Sequence, residues 1–123
     1  MANKKVLIVE KQGVIALDIQ NTLKRMGYEV MGIDAYPVEV EKHLKKGNLD
    51  LVISDYTMHE SASDFTEKVV LKYKVPIIYL TGSSTAHNSK SDLMQNCVVI
   101  TKPFESSEFE NTVKDMINRN LKT

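Results

Sequence analysis

Glu10, Asp55, Thr81 and Lys102 stand at the ends of four apolar runs: Val6-Leu7-Ile8-Val9, Leu51-Val52-Ile53-Ser54, Pro76-Ile77-Ile78-Tyr79-Leu80 and Val98-Val99-Ile100-Thr101. Runs of Val, Ile and Leu without polar alternation suit strands buried on both faces, and in a parallel sheet the ends of such strands gather along one edge. Two carboxylates, an ammonium and a hydroxyl would then share one crevice. That set suits phosphoryl chemistry: a carboxylate can act as nucleophile, while a cation and a hydrogen-bond donor hold the charge on the phosphoryl oxygens.

The segments between these runs must bring the four residues together, and they read as helices. Ile15, Ile19, Thr22, Leu23 and Met26 fall on one helical face ahead of Gly27. Residues 29–35 read as a further strand. Pro37 suits a first helical turn, Val40 and Leu44 follow with helical spacing, and Gly47 closes that helix. Phe65, Val69 and Tyr73 predict a third helix starting near Asp64. Ser107 with Glu110 has capping-box spacing ahead of Phe109, Val113, Met116, Ile117 and Leu121. Residues 83–96, rich in Ser, Asn and Thr, read as a short or frayed helix. About five strands alternating with about five helices predict an α/β fold, a doubly wound parallel sheet with helices on both faces. Residues 57–63 and 82–90 are expected to be loops beside the carboxyl edge.

The chain of 123 residues is expected to form one domain, residues 1–123, because a chain of this size buries roughly two thirds of its unfolded surface around one core. Lys plus Arg and Asp plus Glu are 16 each, so there is no basic surplus to favour nucleic acid as a partner. Neither a signal peptide nor an apolar run long enough for a membrane is present in the sequence, which predicts a cytoplasmic protein without membrane attachment. Cys97 is the single cysteine, which excludes an internal disulfide, and it reads as a small core residue. His59 is the histidine nearest the site in sequence; His43 and His87 read as surface residues, and no metal-ligand spacing links the three.

With these elements in order, the chain resembles the receiver domain of two-component response regulators from Lys5 to about Arg119. The resemblance is carried by Glu10 after the first strand, by Asp55 after Leu-Val-Ile-Ser, by Thr81 in Tyr-Leu-Thr-Gly and by Lys102-Pro103-Phe104. It implies a single-domain, flavodoxin-like five-stranded sheet of order 2-1-3-4-5. It also implies that Asp55 accepts a phosphoryl group from phosphohistidine on a sensor histidine kinase or phosphotransfer protein, with Lys102 and Thr81 assisting. Catalysis would be limited to self-phosphorylation and autodephosphorylation. Glu10, Asp55 and the backbone carbonyl of Thr57 would hold Mg2+, and Pro103 would follow a cis peptide bond. Output would pass to a downstream protein or an attached effector domain, and a homodimer is among the assemblies this permits.

Three departures bear on that implication. Receivers typically carry a second acid after the first, where this chain has Lys11. The exchange alters local charge by two units and weakens a Mg2+ site, unless Lys11 bridges to Asp55; the alternative is that its stem points outward into solvent. Val99 stands where an aromatic switch residue is common, so it has no ring to swing. Residues 57–63 lack the proline and glycine that often shape that loop. A pseudo-receiver that binds partners without phosphorylation is therefore the competing expectation. A flavin-binding domain of similar sheet order is disfavoured, because Lys11-Gln12-Gly13-Val14 lacks the small hydroxyl residues of a phosphate cradle and the chain has no tryptophan.

Overall fold

The structure, a computed structural model, describes residues 3–34, 37–56, 62–82 and 96–120. In chain order these form β1 (Lys5–Val9), α1 (Gly13–Arg25), β2 (Glu29–Asp34), α2 (Pro37–Lys45), β3 (Leu51–Asp55), α3 (Ala62–Thr66, continuing as a π-helix over Glu67–Lys72), β4 (Ile77–Thr81), β5 (Cys97–Thr101) and α4 (Ser106–Asn120). All strand pairs are parallel and the sheet order is β2-β1-β3-β4-β5. This is the expected doubly wound fold, with four helices among the described residues where the sequence predicts about five. The remaining helix, predicted over residues 83–96, lies outside the described residues except for Asn96.

The central strands are apolar on both sides because both sides are covered. Val6, Ile8, Ile53, Ile78, Leu80 and Ile100 pack beneath α1 and α4 with Ile19, Leu23, Phe109, Val113 and Met116. On the opposite face Leu7, Val9, Val52, Ile77, Tyr79 and Cys97 pack with Val40 and Leu44 of α2 and Val69 and Val70 of the π segment. Cys97 is buried here, in keeping with its reading as a core residue.

Two glycines stop helices in the manner their sequence positions predict. Gly27 adopts φ +91°, its N–H donates to the Lys24 carbonyl at 3.0 Å, and the next residue, Tyr28, donates to Leu23 at 3.0 Å. This paired closure satisfies the last carbonyls of α1 and turns the chain directly into β2. Gly47, at φ +70°, likewise donates to Leu44 at the end of α2.

Three local expectations are corrected. The last helix begins at Ser106, so Ser107 lies inside the first turn rather than at the cap, and the Phe109 N–H bonds the Glu105 carbonyl. α3 begins at Ala62, two residues before Asp64, and its second half is π-helical, with Tyr73 N–H bonding Lys68 and Val75 N–H bonding Val69. His43 is half-buried rather than a surface residue: its ring lies over Gly32 of β2, since α2 turns that face toward the sheet edge. His59 and His87 lie outside the described residues.

Candidate functional site

The parallel register carries β1, β3, β4 and β5 to a common edge. Asp55 is level with Leu80 and Thr81 with Thr101. Glu10 follows β1 and Lys102 follows β5, so the four residues singled out by strand-end position converge there. Glu10, Asp55 and Thr81 are buried, at 3%, 4% and 1% exposure. The Lys102 ammonium reaches back over this edge and lies 3.1 Å from Glu10 Oε1 and 3.5 Å from Asp55 Oδ2. One cation therefore holds carboxylates that arrive on two different strands, and a buried carboxylate needs such a partner.

Backbone contacts fix the approach of each group. The Gln12 N–H donates to Glu10 Oε2 at 3.1 Å, which bends the chain at Lys11 and orients the glutamate inward. The Lys102 N–H donates to the Thr81 carbonyl at 2.7 Å, tying the start of the lysine loop to the end of β4. The Lys102–Pro103 peptide is cis. Phe104 then stacks on Phe109 at 5.2 Å, anchoring the loop to α4.

The departures from the family pattern are also placed. Lys11 is exposed on the bend after β1, and the ammonium between the two carboxylates belongs to Lys102. The bridge from Lys11 to Asp55 is thus not the arrangement in this structure; the outward orientation is. Val99 is half-buried on the α2 and α3 side, level with Tyr79 on β4. Thr57 lies outside the described residues.

As a metal site the donor set is small. Glu10 and Asp55 offer hard carboxylate oxygens at one edge, and no group of three or more His, Cys, Asp or Glu residues with metal-binding geometry occurs among the described residues. Mg2+ often takes one or two carboxylates from a protein and fills its remaining positions with water or phosphate oxygens. The residues present meet that minimum and no more.

Just behind the edge lies a cluster that the strand-end reading passed over. The Tyr79 ring meets Tyr56 edge-on at 5.2 Å, and its hydroxyl is 2.7 Å from Thr66 Oγ1. Burial raises the Tyr79 pKa, against the opposing effect of the Thr66 bond. Burial likewise pushes the Cys97 thiol up to about 11. Tyr79 looked like one more member of an apolar run; its available signal was a hydroxyl in a strand otherwise built of Ile and Leu.

Comparison with known proteins accords with this geometry. The response regulator receiver domain model matches residues 6–114. The chain belongs to that family. It is 26% identical to the transcriptional regulatory protein PdtaR of Mycobacterium tuberculosis, over 94% of this chain and 58% of that protein. It thus spans somewhat more than half the length of the curated relatives it matches. Among solved structures, a CheY-like receiver domain protein from Methanospirillum hungatei JF-1 superposes with a TM-score of 0.81 at 22% identity, covering 98% of each chain. A receiver domain protein from Clostridium thermocellum superposes at 0.78 and 21% identity, covering 94% of this chain and 95% of that one. Membership places the chain in two-component signalling, where receivers generally act with histidine kinases or phosphotransfer proteins. No helix among the described residues is long and apolar enough to cross a membrane.

Proposed function

We propose that this chain is a phosphorylatable receiver in which Asp55 accepts a phosphoryl group from phosphohistidine on a kinase or phosphotransfer protein in the cytoplasm. The observation that carries the reading is the Lys102 ammonium set between the buried carboxylates of Glu10 and Asp55. In the transfer, an Asp55 carboxylate oxygen forms the new bond to phosphorus. The bond from phosphorus to the histidine nitrogen breaks, and the imidazole leaves as the neutral ring once protonated.

An incoming phosphoryl group brings negative charge to an edge that already carries two carboxylates. Lys102, within reach of both, supplies positive charge to the phosphoryl oxygens as they approach, and the mostly buried setting strengthens that interaction. The Thr81 hydroxyl, at the end of the neighbouring strand, donates to the phosphorylated side chain. Glu10 and Asp55, with the Thr57 carbonyl, would hold a Mg2+ that neutralises phosphoryl charge when bound, and the missing second acid at Lys11 makes its affinity low.

The donor docks on α1. Val14 and Leu17 are 85% and 55% exposed and lie about one turn apart at the start of α1, the helix that begins three residues after Glu10. Output passes to a partner protein or to an attached effector.

The test is intact mass after incubation with acetyl phosphate, with and without Mg2+, beside Asp55→Asn. A single phosphoryl adduct that the substitution abolishes is the expected result. No adduct in either condition would favour the second reading, a phosphorylation-independent interaction module, for which the exposed Lys11 in place of an acid is the supporting observation.

A further inference from the structure

Val99 has no ring, but the position beside it does. Tyr79 on β4 is level with Val99 on β5 and lies buried toward α2 and α3. It precedes Thr81 by two residues on the same strand, so the two side chains emerge on the same face. Its ring contacts Tyr56, the residue directly after Asp55. Its hydroxyl hydrogen-bonds Thr66 Oγ1 at 2.7 Å. A single hydroxyl on α3 thereby ties that helix to β4.

Thr66 sits where α3 changes from α-helix to π-helix. The π form is the rarer of the two, and a one-residue change of hydrogen-bond register converts one to the other. The boundary is thus a place where a small change of backbone register would give a second arrangement, the kind of element that coupling between separated sites requires. The π segment is joined in turn to α2, where Glu41 accepts from Lys68 at 3.4 Å and from the Tyr73 hydroxyl at 3.2 Å.

We infer that Tyr79, held between Tyr56 and Thr66, carries the state of Asp55 into α3, so that the α-to-π boundary and the α2 and α3 surface change on phosphorylation. This rests on the reading of Asp55 as the acceptor. Movement of the backbone at Asp55 displaces Tyr56 from the Tyr79 ring, and movement of Thr81 pulls the strand that carries the ring. Either motion strains the Tyr79 to Thr66 bond, and its release frees the residue that caps the π segment, so that the segment can change register. The role that a β5 aromatic has elsewhere is here taken by a ring one strand further in.

The experiment is hydrogen exchange by mass spectrometry on the full chain, with and without acetyl phosphate and Mg2+, with intact mass giving the adduct fraction. In the natural protein, amides over residues 66–75 should change exchange rate by about fivefold or more on phosphorylation, and in Tyr79→Phe and Thr66→Val by less than about twofold at equal adduct fraction. Thr66→Ser, which keeps the hydroxyl, should retain the natural response, so a merely structural loss of packing is separated from loss of the bond. If Tyr79→Phe does not fold, the Thr66→Val and Thr66→Ser pair decides. Full adduct with unchanged exchange in the natural protein, or a natural response in Thr66→Val, overturns the inference alone. Absence of any adduct removes the acceptor reading and this inference with it.

Discussion

Lys102 and Lys11 are chemically identical side chains with opposite fates, and their positions on the chain explain the difference. Lys102 leaves β5 with its N–H bound to Thr81, which directs its stem across the strand ends, whereas Lys11 occupies a bend whose next N–H is already given to Glu10. The roles suggested by strand-end position at Glu10, Asp55, Thr81 and Lys102 were legible because a parallel sheet leaves those ends little choice of location. The direction of Lys11 was not, since a single hydrogen bond from Gln12 decides it. Restoring an acid there, Lys11→Asp, should raise Mg2+ affinity by about tenfold or more and speed labelling by acetyl phosphate, as calorimetry and timed intact mass would show. An unchanged affinity would mean that position 11 does not face the cation. Buried Cys97 gives a second residue-scale expectation. Its thiol is raised to about 11 by burial, so between the unfolded value near 9.0 and that folded value the unfolded chain loses its proton first. The unfolded state then binds fewer protons, and stability falls as pH rises through this window, by about 1–3 kcal/mol from this group. The raised Tyr79 pKa acts in the same direction. Urea unfolding at pH 8 to 11 should therefore show a shallower decline for Cys97→Ala than for the natural chain.

At the scale of elements, the sequence conveyed which segments are helical better than it conveyed how they wind. Phe65, Val69 and Tyr73 have the spacing of one face of an α-helix, and the same residues pack toward the sheet with the segment π-helical. Side-chain periodicity carries no trace of the register change, which lies in backbone bonds such as the Tyr73 N–H to the Lys68 carbonyl. The start of α4 differs from the capping-box expectation by two residues for a related reason: Ser107 and Glu110 have the right spacing for a cap, but the chain enters the helix through Glu105, whose carbonyl receives the Phe109 N–H. The Tyr79 to Thr66 bond should also be visible in stability. Thr66→Val leaves a buried phenol without that partner, and a cost of about 1–3 kcal/mol in urea unfolding is expected. On α1 the outward apolar pair is expected to serve the donor and not the chemistry. Leu17→Glu should slow transfer from a phosphohistidine protein by about tenfold or more while leaving labelling by acetyl phosphate unchanged. Equal rates with both donors would remove α1 from the docking surface.

For the whole molecule, one sheet with two unlike faces has to act as a single body if chemistry at its edge is to be felt at α3. The packed cluster under α1 and α4 is built of aliphatic and aromatic side chains and methionine, whereas the face under α2 and α3 includes the Tyr79 to Thr66 hydrogen bond. The first face is held chiefly by apolar packing, which has no hydrogen-bond partner to exchange. The second contains, besides its packing, a side-chain hydrogen bond between a strand and a helix. Met116 and Val69 lie on opposite faces and share no packing cluster. Met116→Ala should cost about 2–5 kcal/mol, Val69→Ala should cost less because fewer atoms are removed, and the double variant should equal their sum within about 0.5 kcal/mol. Both should unfold in one transition, followed equally by far-ultraviolet circular dichroism and tyrosine fluorescence. Separate transitions by the two probes would mean that the α2 and α3 face opens on its own, and the edge chemistry would then reach α3 by local unfolding rather than through Tyr79. Coincident transitions with additive costs would leave the sheet as a rigid relay, in which a change of hydrogen-bond partner at Thr66 is the smallest movement that can report the state of Asp55.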